Sequence, residues 1–163
     1  MAEETDYSEE GIRLGLARLL TAAVDASGRA KCDVAADARL HKDALRRVLR
    51  GERSATLGEA LRILEASQAA PRAHLLLFLF CGEGQSIDWL QSDLAEFFEE
   101  FSAELPQAMH RSLGNNVGDV KSRWAKGTAN RVARMIADHI NDLDRKDQLL
   151  GNFFAGATEQ ERV

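Results

Sequence analysis

The chain has 163 residues, 45% of them hydrophobic, which is enough for one large or two small packed domains. No apolar run approaches the roughly 20 residues that a membrane span needs, and the acidic first ten residues do not fit the start of a signal peptide. The two cysteines, Cys32 and Cys81, lack CxxC spacing, which argues against a disulfide framework or a zinc site. We therefore expect a cytoplasmic protein without a membrane partner, in which both cysteines are small buried hydrophobic residues.

The formal net charge of −5 is unevenly distributed along the chain. Residues 26–53 carry eight basic and four acidic side chains, a block that is suited to meet phosphate. Residues 75–110 carry seven acidic side chains and neither Lys nor Arg, so this block is expected to face away from a nucleic acid. Residues 119–134 carry five basic side chains and one acidic side chain. We expect this second basic stretch to pair with the acidic block, within a subunit or between subunits.

No strand-like alternation of apolar and polar residues extends over several positions, so the chain is predicted to be all-α. Ser8 is a suitable N-cap for a helix that runs to about Asp25, and the Ser27-Gly28 pair ends this helix. Three more helices are predicted at residues 31–38, at residues 41–50, and at residues 56–67 with Thr56 as N-cap.

The second half of the chain is predicted to be helical as well. Residues 72–81, directly after a proline, are apolar on every side and are therefore predicted to be buried all round. After a turn at residues 82–85, an amphipathic helix is predicted over residues 87–105, and Pro106 begins a short helical piece. A Gly/Asn turn at residues 113–118 precedes a long helix, and a turn-rich step separates this helix from a last apolar group. The apolar positions of the long helix and the last group are Val120, Trp124, Val132, Met135, Ile136, Ile140, Leu149, Leu150, Phe153 and Phe154.

Residues 31–51 read KCDVAADARLHKDALRRVLRG, a pattern typical of two helices packed across a tight turn. Leu40 is expected to fill the turn, Leu45 to anchor the second helix, and Gly51 to end it at a position where a positive φ is usual. The predicted inward positions are Val34, Ala35, Ala38, Leu45, Val48 and Leu49. Over residues 11–67 the chain is similar to the lambda-repressor-like helix-turn-helix regulators, the XRE family.

The resemblance implies that the second helix of the motif enters the major groove of DNA as a recognition helix. Lys42 and Arg47 would then donate to guanine, and Asp43 would accept from cytosine. The chain departs from the family at Arg39, where a turn glycine is usual, and at Ala30, where a capping hydroxyl is usual. The implied base-reading residues are His41, Lys42, Asp43, Arg46 and Arg47. The implied phosphate contacts are Lys31, Arg50 and Arg53.

Other interpretations of the same residues are open at this point. A basic helix in a small helical domain can be merely a solvated face, and a helix-turn-helix fold can bind protein alone. The Trp and Phe side chains of the second half could line a ligand pocket, although at helical spacing such residues more often form a core or a dimer interface. The four histidines lack metal-ligand spacing, and no nucleophile motif or phosphate-binding glycine loop is present. We therefore expect no metal site, no cofactor and no enzymatic activity.

The sequence thus predicts a lambda-repressor-like helix-turn-helix domain followed by a helical dimerisation or partner module. The expected function is sequence-specific regulation of transcription, with repression as the expected sign, by a homodimer on double-stranded DNA. The alternative is a helix-turn-helix adaptor, such as an antitoxin or an RNA-polymerase accessory, that binds a protein partner through its acidic C-terminal half. The predicted parts are a disordered acidic N-terminus (residues 1–10), the DNA-binding domain (11–70), the helical C-terminal module (71–157) and a tail (158–163).

Overall fold

A computed structural model describes the backbone of residues 8–160 and the side chains of residues 8–146. Over these residues every regular element is a helix, which confirms the predicted all-α class. The chain forms two compact units that divide between Ala108 and Met109. None of the described helices is both long and apolar enough to cross a membrane. Outside the described residues lie 1–7 of the predicted N-terminus, 161–163 of the predicted tail, and the side chains of Leu149, Leu150, Phe153 and Phe154.

The N-caps predicted for two helices of the first unit are present. The Ser8 hydroxyl accepts a hydrogen bond from the N–H of Gly11 at 3.0 Å. Thr56 forms a capping box with Glu59, in which its hydroxyl accepts from the Glu59 N–H at 3.2 Å and the Glu59 carboxylate accepts from the Thr56 N–H at 2.9 Å. The helices of this unit are α1 (Glu9–Ala26), α2 (Lys31–Asp37), α3 (Lys42–Leu49), α4 (Leu57–Ala66), α5 (Pro71–Asp88) and α6 (Leu94–Leu113), the last of which continues beyond the unit.

The core of the first unit is formed by the inward faces of α1 to α4, with α5 packed against α1 and α4. Each of the four helices contributes an almost completely buried side chain to this core: Leu20 from α1, Val34 from α2, Leu45 from α3 and Ile63 from α4. Burying a side chain of this size contributes roughly 1.5–3 kcal/mol. The predicted inward positions Val34, Ala35, Ala38, Leu45 and Val48 are confirmed as buried, and Leu49 is half-buried.

Helix α5 contradicts the prediction that residues 72–81 are buried all round. Leu77 is buried, but Leu79 is 50% exposed and Phe80 is 72% exposed. A helix directs successive side chains to all sides, and α5 is covered only where it meets its neighbours, so apolar composition alone did not indicate which sides are buried. The prediction that the two cysteines are buried is also wrong, because both Cys32 and Cys81 are exposed free thiols.

The helix boundaries after α5 differ from the prediction. Gly82, with a φ of 81° and a ψ of 177°, is not helical and separates α5 into two helical segments, so the chain breaks where the predicted turn at residues 82–85 begins, but it is helical again over the rest of that turn. Helix α6 begins at Leu94 rather than at residue 87, and it continues through Pro106. The fixed φ of proline is compatible with a helix, which therefore passes Pro106 with the loss of one backbone hydrogen bond.

The second unit is dominated by one long helix. Two 3-10 segments, Gly114–Asp119 and Ser122–Trp124, lead into α7, which runs over Ala125–Gln160. The predicted turn-rich step before Leu149 is wrong, because the backbone of α7 is continuous there. Among residues 109–146, whose side chains are described, none is buried.

His74 is a titratable residue buried in α5, where it connects the two halves of the kinked helix. Its Nδ1 lies 3.1 Å from the Ser86 Oγ, and the Ser86 hydroxyl donates to the His74 carbonyl oxygen at 3.0 Å. Burial lowers the pKa of His74 from its ordinary value of 6.5, and the smaller opposing effects of the Ser86 backbone and of Glu99 do not offset this.

Acidification is therefore expected to destabilise the first unit. Because the pKa of His74 is lowered by folding, the unfolded chain binds more protons below about pH 6.5, and the free energy of unfolding falls as the pH drops through the folded-state pKa. Urea unfolding at about pH 8 and about pH 5.5 checks this, with His74→Gln as the variant in which the difference between the two conditions shrinks. An equal pH effect in the wild type and the variant would assign the destabilisation to other groups.

Candidate nucleic-acid interface

Helices α2 and α3 are joined by a tight turn that the surrounding helices hold in place. Arg39 adopts a φ of 55°, and the N–H of Leu40 donates to the carbonyl of Ala35 at 2.8 Å. From α4, the Arg62 side chain donates to the carbonyl of Ala38 at 2.8 Å. A left-handed conformation costs a residue other than glycine about 1–2 kcal/mol, so these contacts fix a turn that Arg39 disfavours.

Helix α3 is anchored on its inner face and at its C-terminal end. Leu45 is buried in the core, and the Thr21 hydroxyl of α1 donates to the carbonyl of Leu49 at 3.0 Å. Gly51 follows with a φ of 69°, and a Cβ built on it would lie 2.9 Å from the Leu14 Cδ2. Both the conformation and the close approach favour glycine, as predicted for the end of this helix.

The five predicted base-reading residues are all exposed, at the N-cap and on the outer face of α3. His41 is the N-cap, with its Nδ1 accepting from the N–H of Asp43 at 3.3 Å. The Asp43 carboxylate lies 3.6 Å both from the His41 Nδ1 and from the Arg46 guanidinium. Lys42 and Arg47, in contrast, form no ion pair or side-chain hydrogen bond with any residue that the structure describes. The outer face of α3 thus contains one local charge cluster and two unpaired cations.

The three predicted phosphate contacts differ in their surroundings. Lys31 lies 3.7 Å from Asp25, and Arg50 lies 3.7 Å from Glu52; all four side chains are exposed, and such pairs contribute little. Arg53 is instead half-buried and held 2.8 Å from Glu59, and its Nε has no partner among the described residues. The hydrogen bond from Arg53 lowers the pKa of Glu59, against the opposing effect of burial. The structure therefore places Lys31 and Arg50 on the open surface and engages Arg53 with the start of α4.

The exposed cations around α3 offer positive charge and hydrogen-bond donors. Ammonium and guanidinium groups are suited to phosphate oxygens and to the acceptor edges of bases.

No family model, curated protein or solved structure matches the chain. Among the described residues, no three His, Cys, Asp or Glu side chains are grouped so that they could hold a metal ion.

Two further arginines, one before α2 and one in the turn that follows it, were not assigned a role from the sequence. Arg39, in the turn, is exposed and forms no ion pair with a described side chain, so it is available to contact phosphate beside α3. Arg29 is held within the fold, since it lies 2.6 Å from the Asp37 carboxylate and donates to the carbonyl of Ala66 at 2.5 Å. The position of Arg39 directly before α3 was the available signal, but the sequence did not distinguish an exposed, unpaired arginine from one that is paired within the fold.

Proposed function

We propose that the protein is a sequence-specific DNA-binding regulator of transcription, in which α2, the turn and α3 act as a helix-turn-helix. The observation that carries the proposal is the two-sided character of α3. Leu45 anchors the inner side in the core, while the outer side presents Lys42 and Arg47 without partners among the described residues. A helix with its side chains is about 10–12 Å wide and the major groove about 12 Å wide, so α3 has suitable dimensions to enter it.

Each exposed residue then has a role that its chemistry permits. Lys42 and Arg47 would donate to the O6 and N7 atoms of guanine, and Asp43 would accept from the N4 of cytosine. The 3.6 Å separation between Asp43 and Arg46 is that of a weak exposed pair, so Arg46 can exchange this carboxylate for a base or a phosphate. Lys31 and Arg50 would contact the phosphates on the two sides of α3 and fix its register, without selecting a sequence.

A dimer would extend this recognition to two half-sites. A single recognition helix reads only a few base pairs, and two-fold dimers place two such helices about one DNA turn apart. Binding at a promoter would then block or recruit RNA polymerase.

Selection of DNA by the full-length wild-type protein tests the proposal. From a pool of random duplexes we expect enrichment of two related half-sites about 10 base pairs apart. Affinity for the enriched duplex should fall as the salt concentration rises. A plot of the logarithm of the binding constant against the logarithm of the salt concentration should have a slope of about −4 or steeper, because each neutralised phosphate contributes about −0.9. A folded protein that enriches no sequence and shows no salt dependence would overturn the proposal and favour the protein-binding adaptor.

A further inference from the structure

Helix α6 carries an apolar stripe that is only partly covered in the structure. The members of this apolar stripe recur at intervals of three and four residues, which places them on one side of the helix: Leu94, Phe97, Phe101 and Leu105. Leu94 is 45% exposed and Phe97 is 46% exposed. The rings of Phe97 and Phe101 stack with their centroids 6.0 Å apart. The apolar stripe therefore leaves aromatic and aliphatic surface uncovered.

A row of acidic side chains borders the apolar stripe on one flank. Asp93, Glu96 and Glu100 form this acidic row, and each directly precedes a member of the stripe. Because successive residues of a helix are about 100° apart around its axis, the acidic row lies beside the stripe along its length. All three side chains are exposed, and none forms an ion pair with a residue that the structure describes.

The other flank of the apolar stripe is engaged within the first unit. The Glu99 carboxylate accepts from the Arg72 Nε at 2.8 Å and from the N–H of Ala73 at 3.0 Å, both in α5. The Phe98 ring meets Trp89 edge to face, with the centroids 6.3 Å apart. A partner that covers the stripe therefore approaches beside the acidic row and meets its carboxylates.

These charges select the kind of partner. Carboxylates repel the phosphates of nucleic acids and of anionic lipids. Residues 75–110 contain neither Lys nor Arg, so a second copy that used the same face would add acidic side chains without an opposite charge. Helix α7 is basic, but Arg131 and Arg134 lie on the side away from Ile136, so it has no basic row beside its apolar positions. The complementary partner is a helix of another protein with a basic row beside its apolar side chains.

We propose that this face of α6 is a docking surface for a basic amphipathic helix of another protein. Apolar side chains of the partner cover the apolar stripe, and Lys or Arg along one flank of the partner pair with the acidic row. The stripe from Leu94 to Leu105 is about 17 Å long, so a partner segment of about three helical turns spans it. The docking requires no DNA and does not depend on the proposed function.

A synthetic peptide and the full-length protein, without DNA, test the proposal. The peptide has about 18 residues, with Leu at intervals of three and four and Lys along one flank of the Leu positions. In fluorescence anisotropy the wild type is expected to bind this peptide at micromolar concentration. A peptide of the same composition in scrambled order has no apolar stripe and is expected to bind about tenfold more weakly or not at all. Equal binding of the two peptides, or no binding of either, would overturn the proposal.

Neutralising the acidic row tests the charge complementarity. Glu96→Gln/Glu100→Gln is expected to weaken binding of the peptide about tenfold, because the Lys side chains of the peptide lose their carboxylate partners. The matched control is Asp138→Asn/Asp144→Asn, which changes the net charge by the same amount at two exposed residues of α7. The control is expected to bind like the wild type. An equal loss in both variants would assign the binding to net charge and contradict the docking surface.

Removing one ring tests the apolar contact. Phe97→Ala is expected to weaken binding of the peptide about tenfold, because an aromatic side chain at the centre of an interface contributes most to affinity. Met135→Ala removes a similarly exposed apolar side chain from the second unit and is expected to have no effect. Urea unfolding checks that both variants keep the fold. If ultracentrifugation instead shows a wild-type dimer that Phe97→Ala dissociates, a second copy covers the stripe and the proposal is wrong.

The docking surface and the proposed function can fail separately. Lys42→Ala/Arg47→Ala changes only the outer face of α3 and is expected to bind the peptide like the wild type. Peptide binding by a protein that selects no DNA would leave the docking surface in place and remove the proposed function. Selection of DNA by a protein that binds neither peptide would do the reverse.

Discussion

Replacing both Lys42 and Arg47 by alanine is expected to weaken binding to a selected duplex about 100-fold or more while leaving the fold intact. Both side chains are exposed and unpaired among the described residues, so their removal breaks no ion pair or side-chain hydrogen bond there. A good contact to a base edge provides about 1–3 kcal/mol of discrimination, and two such contacts reach this magnitude. Affinity is measured by fluorescence anisotropy at a fixed salt concentration, with the selected duplex and with a scrambled duplex.

The control for this double variant is Lys121→Ala/Arg123→Ala, which removes one lysine and one arginine from the second basic stretch. It changes the net charge by the same amount, and both side chains are exposed. We expect it to retain selective binding. If the control variant loses affinity as much as the α3 variant does, net charge rather than the face of α3 governs binding, and the assignment of Lys42 and Arg47 is wrong. Thermal unfolding of both variants confirms that the fold is retained.

Local sequence signals predicted helices α1 to α4 because the interactions that set their ends are local. Ser8 and Thr56 satisfy backbone N–H groups within three residues of themselves, and Gly51 is required by its own φ. The core of α1 to α4 followed from the spacing of apolar residues, since a helix with one apolar stripe has only one side to bury. These interactions can be recognised without knowing the tertiary structure.

The parts that the sequence did not predict depend on which surfaces meet. Phe80 belongs to a segment that is apolar on all sides, and its exposure is decided by where α1 and α4 pack on α5. Pro106 is predicted to begin a short helical piece, but it lies inside α6, because a long helix that loses one hydrogen bond at a proline retains enough others to continue past it. Composition and local propensity do not contain this information.

The candidate interface shows the same division. Helical spacing predicted the inward positions of α3, and the family resemblance implied the base-reading positions, all of which are exposed. The engagement of Arg53 with Glu59 was not recognisable, because it depends on the path of the loop before α4. The sequence therefore predicted which side chains are exposed on and around α3. It did not predict which of these side chains are already paired within the fold and which are available to a ligand.

Replacing Leu45 by alanine is expected to have the largest effect on stability and to separate the anchoring of α3 from its charge. Helix α3 has only eight residues, too few to be stable alone, so its orientation depends on the core that Leu45 enters. A buried Leu→Ala substitution costs about 2–5 kcal/mol in free energy of unfolding, measured by urea denaturation at neutral pH. The matched control is Arg46→Ala, the next residue along the helix, which is exposed and is expected to change stability by no more than about 0.5 kcal/mol.

The two variants should have opposite effects on stability and binding. Arg46→Ala is expected to reduce DNA affinity with its unfolding transition unchanged. Leu45→Ala is expected to shift the unfolding transition and to retain affinity in the fraction that remains folded, because the outer face of α3 still carries every cation. A cost below about 1 kcal/mol for Leu45→Ala would mean that the surrounding core collapses around the smaller side chain and that α3 is held mainly elsewhere. The hydrogen bond from Thr21 to the carbonyl of Leu49 would then be the anchor to test, because it holds the C-terminal end of the same helix.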